Sequence, residues 1–194
     1  MIRIQNLALP AGGGPELLRR KAARVLGVRP DAFEGFALAR QSIDARRKND
    51  VHYVCAVDVS LPHEADLVRR INAPNVSLFQ PQPYVFPPVG RKSPLAPVVV
   101  GMGPAGLFAA LFLARNGLAP VVLERGRPVE ERTADVERFW GGGALDPSSN
   151  VQFGEGGAGT FSDGKLTTGT HDPRISVVLE TLAAAGAPED ILWQ

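Results

Sequence analysis

Apolar and polar positions along the 194-residue chain fall into two regimes, split by a stretch crowded with prolines. In the first regime, Ile2 to Leu9 reads as a strand. Leu18, Ala22, Val25 and Leu26 then recur at helical spacing within Pro15 to Leu26, and Gly27 supplies the stop. Phe36 to Ala45 and Val51 to Ser60 read as two strands joined by the polar turn Arg46-Arg47-Lys48-Asn49-Asp50, a hairpin. His63 to Ile71 follows as a short helix with Val68 and Ile71 on the same face as Glu64, and Val76 to Phe79 as a last strand. The order strand, helix, strand, strand, helix, strand predicts a small α+β domain of the ferredoxin-like split type over residues 1–79.

Residues 80–97 carry too many prolines for a helix interior or a central strand, which predicts an extended linker or an arm lying across the second domain. The second domain, 98–194, opens with the apolar run Val98-Val99-Val100. After the turn Gly101-Met102-Gly103-Pro104-Ala105-Gly106 comes a helix, Leu107 to Asn116, apolar almost all round as expected of one buried against a sheet, and ended by Gly117. Pro120 to Leu123 is a second strand. Pro128 to Trp140 is helical, with Val129, Arg132, Val136 and Phe139 on one side, and Gly141-Gly142-Gly143 ends it. Asp172 and Pro173 mark a further helix start, with Ile175, Val178, Leu179 and Leu182 as its apolar face before Gly186. The predicted fold class is α/β, an incomplete Rossmann-like βαβ unit preceded by the small α+β domain.

A strand feeding a Gly-x-Gly-x-x-Gly turn and then a helix is the arrangement that grips a dinucleotide diphosphate. Gly101 permits the tight turn, Gly103 lets the backbone approach the phosphates, and Gly106 lets helix and strand pack closely, so that the helix N-terminus presents free N–H groups to the anion. Glu124, at the end of the second strand, stands about 20 residues on, where a carboxylate accepts hydrogen bonds from the adenosine ribose. It would also repel a 2'-phosphate, which favours NAD or FAD over NADP, although the neighbouring Arg125 weakens that preference. Spacing alone leaves NAD and FAD open.

Gly154 to Gly164 packs five glycines, two hydroxyls and two carboxylates into eleven residues. Such a composition lets backbone amides wrap an anion or lie beneath a flat ring; it also suits a surface loop. Phe153 and Phe161, flanking and within the block, argue against free solvation.

The segments Gly101 to Leu107, Glu124-Arg125-Gly126 and, above all, Asn150-Val151-Gln152-Phe153-Gly154-Glu155-Gly156-Gly157-Ala158-Gly159-Thr160-Phe161-Ser162-Asp163-Gly164-Lys165-Leu166 resemble the large FAD-dependent dehydrogenase-like proteins of bacteria, whose biochemical role is largely undefined. The resemblance runs from the N-terminus, including Ser42-Ile43-Asp44-Ala45-Arg46, to the last residue. It implies FAD rather than free NAD, with NAD(P)H as a candidate electron donor. The Pro104-Ala105 form of the glycine turn is widespread among flavoproteins. The resemblance further implies that Gly156, Gly157, Ser162 and Asp163 lie along the flavin and its diphosphate.

Composition narrows the remaining classes. A formal net charge of +1 gives no electrostatic reason to expect nucleic acid or an anionic membrane. No apolar stretch approaches the roughly 20 residues of a membrane span, and Met1 to Gln5 lacks a signal-peptide core, so a cytoplasmic location is expected. Cys55 is the single cysteine, which excludes an intramolecular disulfide and a redox dithiol and reads as a small buried hydrophobe. His52, His63 and His171 show no metal-ligand spacing. No catalytic acid or base stands out; Asp163 and Lys165 read as a surface ion pair.

The expected function is an FAD-dependent oxidoreductase acting on a small molecule, or its cofactor-binding N-terminal fragment. A dinucleotide-binding flavoprotein needs further parallel strands and commonly a substrate domain, so the chain is expected to be a piece of a longer protein or a truncated product. Two alternatives stay open. One is NAD binding without flavin; the other is a module in which Arg46-Arg47-Lys48 contacts RNA or an acidic partner.

Overall fold

The computed structural model describes residues 1–90, 94–161 and 172–193. It is a mixed α/β protein that divides into two compact units, Met1–Tyr84 with Asp172–Gln194, and Val85–His171. The helix near the C-terminus therefore groups with the leading unit and not, as its place in the sequence suggests, with the rest of residues 98–194.

The leading unit carries strands β1 (Ile2–Pro10), β2 (Gly35–Asp44), β3 (His52–Ser60) and β4 (Val76–Leu78) in one sheet of order β2-β3-β1-β4, every neighbouring pair antiparallel. Helix α1 (Pro15–Leu26) separates β1 from β2, and α2 (Glu64–Ile71) separates β3 from β4. Proline at the first turn of α1 costs no hydrogen bond, and Gly27 closes it at φ 67°, its N–H donating to Arg24 O while Val28 N–H donates to Ala23 O.

The core lies on one face of this sheet. Ile2 and Ile4 of β1 and Val57 and Val59 of β3 are wholly buried with Leu18, Ala22 and Leu26 of α1. Strict alternation would next bury Asn6 and Ala8. A register shift between Ile4 and Leu7, with Asn6 at φ 57°, resets the period so that Leu7 and Leu9 point inward instead. Asparagine accepts this left-handed conformation more readily than most residues. On the opposite face Arg3 sits directly across from Asp58 and donates two hydrogen bonds to its carboxylate, each 2.7 Å. Helix α5 (Arg174–Ala184) begins one residue later than expected, with Pro173 rather than Asp172 at the N-cap, and the Asp172 carboxylate accepts the Arg174 N–H at 2.8 Å.

The second unit has a parallel pair, β5 (Val98–Val100) and β6 (Val121–Leu123), joined through α3 (Pro104–Arg115), then α4 (Val129–Trp140) and a 3-10 turn at Gly157–Phe161. Two three-residue strands cover little of so apolar a helix. Accordingly α3 buries no residue fully, and Val100 of β5 is 81% exposed. Val136 of α4 is the buried apolar side chain of this unit among the described residues. Around it the interior is polar, with Arg132, Asp135, Ser149 and Asn150 all buried.

No helix among the described residues is long and apolar enough to cross a membrane.

Candidate functional site

The turn between β5 and α3 gives its three glycines three different surroundings. Gly101 adopts φ 95°, a backbone region that side chains other than glycine rarely enter, and its N–H donates to Leu123 O at 2.7 Å, tying the turn to the neighbouring strand. Gly106 lies where a Cβ would stand 1.9 Å from Gly101 O and 3.5 Å from Val99 Cγ1, so that α3 can approach β5 only without one. Gly103 differs from both. A Cβ added there would meet nothing nearer than Gly157 Cα, at 3.9 Å.

Gly103 is the N-cap of α3 and has no side chain to cap with. Pro104 has no N–H. The N–H groups of Ala105 and Gly106 are thus the first donors of the helix, and no described residue accepts from them; Leu107 N–H turns back to Gly103 O at 2.9 Å. Unsatisfied donors at the positive end of a helix dipole attract an anion.

Glu124 stands just past β6 and reaches across to this turn. Its carboxylate accepts the Met102 N–H at 2.6 Å on one oxygen and the Gly126 N–H at 2.8 Å on the other. These bonds, Gly126 first and Met102 second, pull its pKa below the ordinary glutamate value. The residue expected at a ribose therefore also buttresses the turn. The Arg125 and Gly154 N–H groups also face this carboxylate, so backbone donors take up most of its roughly four lone-pair sites.

This depressed pKa has a testable sign. The stabilisation is present above the unfolded glutamate pKa near 4.5 and is lost as pH falls through the lower folded value. Glu124→Gln keeps one acceptor and loses the charge, which is expected to cost about 1.5 kcal/mol at pH 7. Urea unfolding at pH 7 and at acid pH checks this: the gap between wild type and variant should shrink in acid. A gap of equal size at both pH values would refute the assignment.

The glycine block folds over the same turn. Gly156 N–H donates to Met102 O at 2.9 Å, and a Cβ on Gly157 would come within 3.2 Å of Gly103 Cα and Pro104 Cδ. Both glycines have positive φ, 83° and 67°. Gly126 passes so close to Gly154 that a Cβ on it would be 2.4 Å from Gly154 Cα. Of the residues singled out from the sequence, Gly101, Gly103, Pro104, Gly156, Gly157 and Glu124 are thus brought together. Arg125 is exposed and lies over the Phe153 ring, 4.1 Å from its centroid. Ser162 and Asp163 lie outside the described residues.

Two residues of this assembly were not singled out as site residues from the sequence. The Glu155 carboxylate accepts the Val129 N–H at 2.7 Å, capping the start of α4. Arg132 is completely buried and donates to Asn150 O, Glu155 O and Gly157 O at 3.0, 2.7 and 2.8 Å, so that one side chain sets the course of the glycine block. The signal was present: a charged residue stood on the otherwise apolar side of α4.

In the leading unit, Arg46 of the basic hairpin turn is exposed and paired with Asp44. Cys55 is buried, and burial pushes its thiol pKa up.

Residues 1–60 match a family described as a domain of unknown function, DUF8436. A relative described as an "Uncharacterized protein" of Clostridium beijerinckii (strain ATCC 51743 / NCIMB 8052) is 44% identical over 194 residues. That match takes in the whole of this chain and 36% of the relative. The chain therefore spans about a third of the length of the curated relative it matches.

Proposed function

We propose that the second unit is a Rossmann-like dinucleotide-binding unit that holds FAD, and that the chain is the cofactor-binding part of an FAD-dependent oxidoreductase. The leading unit is then a ferredoxin-like domain, in keeping with its antiparallel order β2-β3-β1-β4. The observation that carries the reading is the contrast between the three turn glycines. Gly101 is required by its φ and Gly106 by its packing, while Gly103 is required by neither, and a glycine there is what close approach of a diphosphate to the backbone calls for.

On this reading the Ala105 and Gly106 N–H groups and the α3 dipole bind the diphosphate, and Glu124 offers its remaining lone pairs to the adenosine ribose. Gly156 and Gly157 lie against the same turn, and Ser162 and Asp163 belong to the same block of sequence. FAD would supply the hydride and electron transfer, with NAD(P)H as its donor and a small molecule as substrate. The chain's own residues bind and orient; none is assigned an acid or base role. One unpaired, buried cysteine is compatible with a reducing, cytoplasmic setting.

The test is the purified chain's absorption spectrum after incubation with FAD and removal of excess, together with thermal unfolding in FAD and in NAD. Flavin bands that survive desalting, and a melting rise larger with FAD than with NAD, are expected; ligand at a hundred times Kd stabilises by about 2.7 kcal/mol. A shift with NAD alone favours the flavin-free alternative. No shift with either ligand removes the reading.

A further inference from the structure

Arg132 is the buried ionisable group for which dinucleotide binding, as set out above, has no use. Its side chain is 0% exposed. Among the described residues it accepts no carboxylate as partner: its donors go to the carbonyls of Asn150, Glu155 and Gly157, with the Thr160 hydroxyl at 3.5 Å, and its guanidinium lies 4.9 Å from the Phe161 ring centroid. The neighbouring acids make their hydrogen bonds elsewhere, although the Glu124 charge acts on Arg132 through space. Asp135 pairs with Arg127 and Arg138, Glu155 caps α4, and Glu124 binds Met102 and Gly126. A guanidinium stays charged in proteins, so the interior of this unit holds a positive charge that Glu124 offsets only through space, with no carboxylate among the described residues bonded to it.

The direction of the peptides says where that charge is felt. In a trans peptide the C=O and the following N–H point opposite ways. Glu155 O points down onto Arg132, and the Gly156 N–H accordingly points away, to Met102 O in the turn. Gly157 O also points at Arg132, which turns the Ala158 N–H away from it, at the open start of the Gly157–Phe161 turn. Ala158 is exposed, and no described residue accepts its N–H. A buried cation beneath a peptide edge with its N–H side outward is a setting that favours an anion.

We propose that Arg132 is a positioning residue for the diphosphate of the bound dinucleotide: through the Glu155 and Gly157 carbonyls it fixes the peptide edge beside the Met102–Pro104 turn, and its buried charge draws the diphosphate to that edge. The inference rests on the dinucleotide reading above and adds to it the source of the counter-charge. Lysine in its place keeps the charge and loses the three-way fork. Glutamine keeps a donor pair and loses the charge.

The experiment is calorimetric titration of ADP, inorganic pyrophosphate and adenosine into the full chain as wild type, Arg132→Gln and Arg132→Lys. Arg132→Gln is expected to weaken ADP and pyrophosphate by about tenfold or more, and adenosine by less than about twofold, because only the first two carry the charge. Arg132→Lys should retain the preference for ADP over adenosine. A glutamine variant that keeps that preference, or a lysine variant that loses it, overturns the proposal, so either variant decides it if the other fails to fold. Equal weakening of ADP and adenosine assigns Arg132 a purely structural role and also overturns it. If the wild type binds no ADP, the dinucleotide reading falls and takes this inference with it; if the wild type binds ADP and the glutamine variant matches it, only this inference falls.

Discussion

Gly106→Ala is expected to destabilise the second unit by about 3 kcal/mol, the upper end of what overpacking costs. The usual sign for such a change is the reverse, since replacing glycine inside a helix by alanine gains about 1 kcal/mol. Here the new methyl would stand 1.9 Å from Gly101 O, a backbone atom that no rotamer change can move aside. Relief requires α3 to lift from β5 or the Gly101 peptide to rotate. Rotation strains the Gly101 N–H bond to Leu123 O, which joins the turn to β6. Both routes open the same parallel pair. Urea unfolding followed by Trp140 fluorescence in a Trp193→Phe background reports on this unit, because Trp193 groups with the other one. A variant as stable as wild type, or more so, would show that α3 does not pack on the turn in this way.

The local elements of both units were legible in the sequence because their signals are local. Apolar spacing, Pro15 and Gly27 mark out α1, and the order of elements in residues 1–79 follows from alternation and turn chemistry. What escaped depends on partners distant in sequence. The bulge at Asn6 moves burial from the even to the odd positions of β1, and only its pairing with β3 reveals it. Helix α3 reads as buried on composition, yet two three-residue strands cannot cover it. Nothing local to Arg174–Ala184 tells which compact unit it joins.

The candidate site divides along the same line. Its glycines and Glu124 are visible as a spaced motif, since a turn that must reverse tightly and pack closely restricts residue type at fixed offsets. That Glu124 bonds Met102 and Gly126, in addition to any sugar, follows from the distance between two strand ends. Arg132 was read as one residue of a helix face. Its importance comes from carbonyls 18 to 25 residues away, which a helical wheel does not display.

Gly103→Ala separates binding from folding at this turn. Gly103 sits at φ −74° and ψ −177°, extended backbone open to alanine, and the added Cβ would lie 3.9 Å from Gly157 Cα, ordinary van der Waals contact. Alanine is a slightly poorer N-cap than glycine, while the less flexible unfolded chain offsets this, so stability should change by no more than about 0.5 kcal/mol. Binding should respond differently. On the dinucleotide reading the methyl would stand on the Gly157 side of the turn, just before the Ala105 and Gly106 N–H groups, and hold a diphosphate off those donors. The expected loss is about a hundredfold in affinity for FAD and ADP, equivalent to about 2.7 kcal/mol. Titration of ADP, set beside the unfolding curve of the same variant, measures both quantities. Normal stability with a hundredfold loss assigns the surroundings of Gly103 to the ligand. Normal stability with unchanged affinity would mean that the diphosphate, if bound at all, never approaches Gly103, and the spacing of the three glycines would then reflect only how α3 meets β5.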